Sequence, residues 1–216
     1  EGRRQGARVA VFEAGSRPGG TLRTSPLAGV ALDEAADAFL ARVPDAVDLC
    51  TALGLATELV SPATGSAYVW LDGALRCLPS EQLLGVPTDL DAVAASGLLS
   101  PSGLARARRD LIAPGDPTAA GAATPGDDES VGALVRRRLG DEVLDRLVAP
   151  LVGSIYAGDS DRLSLQVSAA QLAAARDHDP RDPSLVRAAA ALRAEAVDSG
   201  RPVFLAPAGG MGRVVE

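Results

Sequence analysis

The hydrophobic pattern of the chain predicts short strands towards both ends. Residues 8–14 (RVAVFEA) form a β-branched apolar run that ends in an acid and is followed by GSRPGG, which predicts a buried strand entering a loop. In residues 67–79 (AYVWLDGALRCLP), Asp72-Gly73 separates two alternating segments, as in a tight hairpin turn. Residues 202–206 (PVFLA) predict a further strand before the turn PAGGMG.

Helical spacing dominates between these strands. Residues 44–55 place Val47 and Cys50 on one face of an amphipathic helix. From residue 79 to about residue 198 the pattern is almost wholly helical, apart from a stretch at 113–129 (APGDPTAAGAATPGDDE) that has no periodic apolar face. We therefore expect a loop there.

The second half of this helical region carries its own stop signals. Apolar positions over 131–148 predict two short helices, which break at Gly140 and end at Pro150. A further helix over 184–197 is expected to end at Gly200.

Composition narrows the classes of function. With 47% apolar residues but only 3% aromatic ones among 216, the core must be aliphatic and largely helical. A net charge of -7 argues against a nucleic-acid binder, which needs a basic patch. No apolar run reaches the roughly 20 residues that span a bilayer, and the N-terminus lacks a signal-peptide core. The chain is expected to be cytoplasmic, with attachment to a membrane surface left open.

Few side chains are candidates for acid–base or metal chemistry. The single histidine, His178, lies in the polar stretch RDHDPRDP, which favours a solvated loop residue over a catalytic base. Cys50 and Cys77 have neither metal spacing nor a partner motif, so buried thiols are expected. No metal site is predicted.

The segment VAVFEAGSRPGGTLRT has the residue types of a cofactor site. In dinucleotide-binding domains, an acid at the end of the second strand accepts hydrogen bonds from the adenosine ribose, and Glu13 has that place. Gly19 and Gly20 would let backbone approach a cofactor closely. An ordinary strand and turn remains the alternative, since the GxGxxG turn that opens such a domain does not precede Glu13.

A larger ordered set of motifs carries a family resemblance. The segment above is followed by DEAADAFLAR, SAYVWLDGALRCLP, GVPTDL, SGLLSPSGLARARRDL, RRRLGDEVLDRLVAPLVGSIYAGDSDRLSL and APAGGMGRVVE. In this order they resemble the protoporphyrinogen and coproporphyrinogen oxidases, FAD-dependent members of the flavin amine oxidase superfamily. The chain is similar to the N-terminal half of that family without its opening GxGxxG unit.

The resemblance implies an α/β fold, with a partial FAD-binding (Rossmann-like) domain, a small antiparallel sheet and a mostly helical inserted domain. The implied parts are residues 1–42 of the FAD-binding domain, strands and a helix of a substrate domain over 43–80, the helical domain over 81–199, and a return over 200–216.

The implied activity is FAD-dependent oxidation of coproporphyrinogen III or protoporphyrinogen IX to the porphyrin in haem biosynthesis, with dioxygen as acceptor. No catalytic residue is assigned. The positions that match the family's cofactor site are Glu13, Ala14, Gly19, Gly20, Thr21, Ala35, Ala36, Asp37 and Ala38. The positions expected in the substrate pocket are Tyr68, Leu84, Gly153, Ser154 and Tyr156.

Some of these positions have competing interpretations. The family commonly has glycine at Ala35-Ala36, where a positive φ would strain alanine. For Tyr68 and Tyr156, packing in the core is favoured over a pocket. Arginines on the predicted helix at 101–112 would either pair with substrate propionates or form a solvated face.

Two other functions stay open. The chain could be an inactive fragment that acts only as a helical binding module, or a related flavin amine oxidase or desaturase. A homo-oligomer is also compatible with the sequence.

Overall fold

The computed structural model describes residues 6–41, 43–112, 128–179, 181–198 and 202–216. The chain divides into two compact units, which we call the strand unit (Glu1–Gly65 with Arg201–Glu216) and the helical unit (Ser66–Gly200). The predicted loop at 113–129 lies outside the described residues up to position 127, as does the helix stop at Gly200. The four-part division expected from the sequence stays a prediction.

Within its described residues, the strand unit consists of small antiparallel sheets, one α-helix and two short 3-10 helices, Ala56–Glu58 and Met211–Val214. Strand β9 (Phe204–Pro207) lies between β3 (Phe39–Leu40) and β4 (Leu59–Val60), with Phe39 opposite Leu205 and Leu59 opposite Pro207. The strand predicted at 202–206 is therefore confirmed. The elements are β1 (Thr24–Leu27) and β2 (Val30–Asp33), which form a hairpin, then β3 (Phe39–Leu40), α1 (Pro44–Ala52), β4 (Leu59–Val60) and β9 (Phe204–Pro207).

Helix α1 confirms the amphipathic helix predicted from residue 44. Pro44 takes the first helical position, where its missing N–H costs nothing, and Cys50 is buried. Gly54 has a φ of +81° directly after the helix, so the chain leaves in a conformation that glycine adopts freely.

The strand predicted at residues 8–14 is wrong. These residues have no strand conformation and are exposed, Phe12 to 94%. A strand exists only where its N–H and C=O groups pair with a neighbour. The described chain provides no such neighbour for residues 8–14.

Two hairpins precede the helices of the helical unit. Strands β5 (Tyr68–Leu71) and β6 (Ala74–Cys77) pair around Asp72-Gly73, both at positive φ, which confirms the predicted hairpin. Strands β7 (Gln82–Leu83) and β8 (Val86–Pro87) form a second, unpredicted hairpin. Its strands have two residues each, too few to show an alternating pattern.

The helices bury an aliphatic core, as the composition predicts, and Leu98, Leu134, Leu139, Leu165 and Leu172 are among its fully buried side chains. The helices of the helical unit are α2 (Leu90–Ser96), α3 (Pro101–Ile112), α4 (Val131–Leu139), α5 (Asp141–Val143), a π-helical turn (Leu144–Val148), α6 (Ala149–Tyr156), α7 (Leu165–Ser168), α8 (Ala170–Arg176) and α9 (Leu185–Asp198). None of the helices in the described part of the chain combines the length and the apolar composition that a membrane span requires.

The predicted break at Gly140 is confirmed, but the predicted end at Pro150 is wrong. Gly140 has a φ of +95° between α4 and α5. Pro150 lies in the first turn of α6, where a proline needs no intrahelical N–H bond. The π-helical turn immediately before it shifts the hydrogen-bond register, so the helical path continues to Tyr156.

Acid should weaken the helical unit partly through Glu142. The side chain and backbone N–H of Ser100 donate to its carboxylate and lower its pKa, which stabilises the ionised form in the folded state. This contribution is present above the ordinary glutamate pKa of about 4.3 and is lost as pH falls through the lowered value. Glu142→Gln should give a smaller fall of the melting temperature below about pH 5 than the wild type. Equal acid sensitivity, measured by circular dichroism, would contradict this role.

Candidate functional site

Glu13 is accessible to a ligand even though no strand precedes it. Its Oε1 accepts a hydrogen bond from the Gly15 N–H at 2.6 Å, which closes a tight turn. Glu13 and Ala14 are exposed. The second carboxylate oxygen accepts no hydrogen bond in the described structure, so it is available to a hydroxyl donor.

Both members of the glycine pair have a positive φ, but they differ in surroundings. Gly19 has a φ of +108°, and a Cβ there would lie 2.8 Å from a methyl group of Val215. Gly20 has a φ of +54°, and nothing lies within 4 Å of the position a Cβ would take. Gly19 is thus required by the packing of the strand unit, whereas Gly20 leaves a face open. Thr21 follows, exposed, in the same turn.

The loop from Ala35 to Ala38 lies between β2 and β3. Ala35, Ala36 and Asp37 are exposed and Ala38 is half-buried. Among the described contacts, none of their backbone N–H groups donates a hydrogen bond. Neither alanine has a positive φ, so the strain expected from replacing glycine does not arise.

Sequence reasoning missed the contacts that hold this loop. The carboxylate of Asp33 accepts hydrogen bonds from the Met211 N–H at 3.0 and 3.1 Å and from the Thr24 hydroxyl. The hydroxyl oxygen of Thr24 in turn accepts from the Gly212 N–H at 2.9 Å. The partners are 178 and 188 positions apart, so no local pattern could have revealed them.

The donor set of the strand unit fits a flavin dinucleotide. A ribose needs a carboxylate acceptor, a phosphate or an isoalloxazine edge needs backbone N–H donors, and close approach needs glycine. The strand unit supplies all three features. The carboxylate is that of Glu13, the glycine is Gly20, and the donors are the N–H groups of the loop at 35–38, which make no described hydrogen bond.

Three of the predicted pocket residues lie at the end of α6. Gly153 is half-buried, and a Cβ there would lie 3.3 Å from the carbonyl oxygen of Gly158. The hydroxyl of Ser154 donates to the Leu151 carbonyl at 2.8 Å, so the extra hydroxymethyl is accommodated by its own helix. Tyr156 is exposed, and the interpretation of its ring as part of the core is wrong.

The turn between β7 and β8, which contains Leu84, lies against the helical segment that leads into α6. Leu84 has a φ of +49°, a left-handed conformation that is unusual for a large side chain. The next residue, Gly85, approaches the carbonyl oxygen of Leu147 and the Cα of Val148, immediately before α6. Leu84 itself is half-buried against the aliphatic core.

Tyr68 lies on the outward face of the β5–β6 hairpin. Tyr68, Trp70 and Leu75 are exposed on that face together with Cys77. The prediction that Tyr68 packs in the core is therefore wrong, and so is the prediction of a buried thiol at Cys77. Only one face of this two-stranded hairpin packs against the core, and both residues lie on the other face. Cys50 is buried and His178 is exposed, as predicted.

The arginines of α3 are engaged within the helical unit. Arg106 donates to the carbonyls of Arg137 and Arg138 at 2.6 and 2.9 Å and so caps the end of α4. Arg108 pairs with Asp91 at 2.6 Å. Arg109 is exposed.

The helical unit also contains a cavity of about 510 Å³. Two arginines line it, and both are paired, Arg108 with Asp91 and Arg187 with Asp182. None of the residues predicted for the substrate pocket is part of its lining, which is Thr88, Asp89, Leu90, Asp91, Arg108, Leu111, Ile112, Val186, Arg187 and Ala190.

Comparison with known proteins gives one family. The sequence model of the family described as flavin-containing amine oxidoreductase matches residues 2–216. A coproporphyrinogen III oxidase of Bacillus subtilis is 40% identical over 157 residues, which are 73% of this chain and 32% of that protein. A coproporphyrinogen III oxidase of Staphylococcus aureus is 36% identical over the same length, again 73% of this chain and 32% of that protein.

A solved structure shows the same fold. The protein from Exiguobacterium sp. 255-15, which carries the name protoporphyrinogen oxidase, matches with a TM-score of 0.73 and 29% identity. The match covers 94% of this chain and 43% of that one. The chain thus spans about a third of the length of the two curated relatives and less than half of the solved structure.

Proposed function

Because the chain belongs to the flavin-containing amine oxidoreductase family, we propose that it acts in the FAD-dependent oxidation of a porphyrinogen to the porphyrin, with dioxygen as acceptor. The names of the two curated relatives favour coproporphyrinogen III as substrate, and the name of the solved structure keeps protoporphyrinogen IX as the second candidate. Haem biosynthesis in the cytoplasm is the corresponding setting.

The observation that carries the proposal is the set of backbone N–H groups over residues 35–38, which donate to no acceptor in the described part of the chain and belong to the same unit as Glu13 and Gly20. In this proposal Glu13 accepts hydrogen bonds from the adenosine ribose. The cofactor would lie along the turn formed by Gly19, Gly20 and Thr21. The flavin ring would contact residues 35–38.

The protein's part in the reaction is to bind and orient. When bound, the flavin supplies the hydride chemistry, so a chain without a histidine in its site is adequate. The proposed apolar contact surface for the tetrapyrrole lies in the helical unit. It consists of Leu84, Gly153, Ser154, Tyr156 and Tyr68. Hydrogen removed from the porphyrinogen is passed to dioxygen, which leaves as peroxide.

The proposal is tested with the 216-residue chain and with a chimera. In the chimera, the 157 matching residues of this chain replace the corresponding segment of the Bacillus subtilis relative. Flavin binding is followed by quenching of FAD fluorescence, and oxidation by the appearance of porphyrin fluorescence from coproporphyrinogen III or protoporphyrinogen IX. We expect the chimera to hold FAD and to oxidise a porphyrinogen.

The alternatives give different results. A chain and a chimera that both remain colourless would favour the helical binding module. A yellow chimera that ignores both porphyrinogens but oxidises amines would favour a related amine oxidase.

Gly20→Ala tests the open face of the glycine pair against a matched control. Gly29, in the turn between β1 and β2, has a φ of +83° and nothing within 4 Å of its Cβ position, which makes it equivalent to Gly20 in strain and space. Both alanine variants should lose about 1 kcal/mol of stability. Only Gly20→Ala should weaken FAD binding, by about tenfold. Equal FAD affinities of the two variants would remove Gly20 from the site.

A further inference from the structure

Four residues of the strand unit form what we call the clasp: Thr24, Asp33, Met211 and Gly212. Asp33 ends β2, Thr24 begins β1, and the other two residues lie in the turn that follows β9. Asp33 accepts from the Met211 N–H and the Thr24 hydroxyl, and Thr24 accepts from the Gly212 N–H. Both carboxylate oxygens of Asp33 and the hydroxyl of Thr24 therefore have a partner.

Close packing around the clasp shows that its glycines are required there. Gly210 has a φ of +104°, and a Cβ on it would lie 2.5 Å from the hydroxyl oxygen of Thr24. A Cβ on Gly212 would lie 2.8 Å from the same oxygen. The turn can lie flush against Thr24 and Asp33 only because both positions lack a side chain.

The clasp holds one end of the loop at 35–38. Before the loop, Asp33 binds Met211. After the loop, Phe39 pairs with Leu205 of β9. Both ends are thus attached to one continuous segment, residues 204–212. Because the loop itself makes no described backbone hydrogen bond, its position depends on these two attachments and on the Glu34 N–H, which donates to the Arg23 carbonyl at 2.9 Å.

We propose that Asp33 is a positioning residue for the flavin, which acts through the clasp to hold the N–H groups of the loop at 35–38 ready for the cofactor. The inference rests on the proposed function, since flavin is the ligand. A carboxylate suits this role because both of its oxygens accept hydrogen bonds, and Asp33 uses them for two N–H contacts and one hydroxyl. A loop already ordered loses less conformational entropy when it binds, which raises affinity.

The test compares Asp33→Asn with Glu34→Gln. Glu34 is the next residue, but its carboxylate makes only an exposed pair with Arg23 at 2.8 Å, so its loss should change little. In Asp33→Asn one oxygen becomes an N–H donor that faces another donor. We expect lower backbone order parameters, measured by 15N relaxation, at residues 35–38, and a rise of about tenfold in the Kd for FAD. Glu34→Gln should match the wild type in both measurements.

Thr24→Val keeps the test decisive if Asp33→Asn does not fold. Valine has the shape of threonine without the hydroxyl, so it removes two bonds of the clasp and retains the Asp33–Met211 contact. It should move both measurements in the same direction as Asp33→Asn, while Thr24→Ser restores them. Lower order parameters with an unchanged Kd would overturn the role towards flavin, and unchanged order parameters in both clasp variants would overturn the positioning itself.

Failure of the proposed function gives a separate result. If the wild-type chain and its chimera bind no FAD, flavin is excluded as the ligand of the loop. The order parameters are measured without cofactor, so they still decide whether the clasp orders the loop.

Discussion

Replacing Asp110 with alanine is expected to lower the free energy of unfolding of the helical unit by about 4 kcal/mol. Asp110 is only 3% exposed, and its carboxylate accepts from Arg138 Nε at 2.8 Å, Ser184 Oγ at 2.9 Å and the Val186 N–H at 2.9 Å. These donors belong to α4 and the start of α9, so one carboxylate joins three helices. Its removal would leave the Arg138 guanidinium buried without its counter-charge.

Urea unfolding followed by helical circular dichroism measures this effect. The matched control is Asp91→Ala, which removes an aspartate that also pairs with an arginine but has a side chain 88% exposed. The control should cost less than about 1 kcal/mol. Asp110→Asn, which keeps the shape and loses the charge, should fall between them. A cost for Asp110→Ala as small as that of the control would show that the helices do not depend on this carboxylate.

Gly85→Ala should cost about 3 kcal/mol. A Cβ at this position would lie 2.7 Å from both the Leu147 carbonyl oxygen and the Val148 Cα, and neither backbone atom can rotate away. The φ of +85° adds about 1 kcal/mol of conformational strain to the steric cost. The β7–β8 turn would have to separate from the π-helical turn, and Leu84 would move with it.

Gly73→Ala is the control that separates strain from packing. Gly73 occupies the equivalent place in the β5–β6 turn, with a φ of +76°, but nothing lies within 4 Å of its Cβ position. Its alanine variant should therefore lose only about 1 kcal/mol. The difference between the two variants, measured by urea unfolding, is the cost of the close approach. Identical losses would contradict the packing of Gly85 against the helix.

The elements that the sequence predicted correctly are those with a local cause. The Asp72-Gly73 turn, the start of α1 at Pro44 and the break at Gly140 each depend on the conformational preference of one or two residues. Such preferences act wherever the residue stands, so the pattern alone was sufficient.

The wrong predictions share a different cause. The run at 8–14 has the composition of a buried strand but no neighbour in the described structure, and Pro150 was expected to stop a helix that a preceding π-helical turn allows to continue. Tyr68 and Tyr156 are exposed because the elements that carry them cover only one side. Strand pairing and burial each require two surfaces in contact, whereas a sequence pattern describes only the element that carries it.

The candidate site divides in the same way. The ordered motifs were sufficient to identify the family. By contrast, three features join residues that lie far apart along the chain. Asp110 and Ser184 are 74 positions apart, Gly85 and Leu147 are about 60 apart, and Asp33 and Met211 are 178 apart.

The sequence by itself thus determined the family, the local turns and the helical, aliphatic character of the core. Only the tertiary structure decided which carboxylates are buried, which glycines have no room for a side chain, and how the loop at 35–38 is held. The physical reason is range. Dihedral preferences and periodicity act over a few residues, whereas hydrogen bonds and steric contacts act between whatever the folded chain brings together.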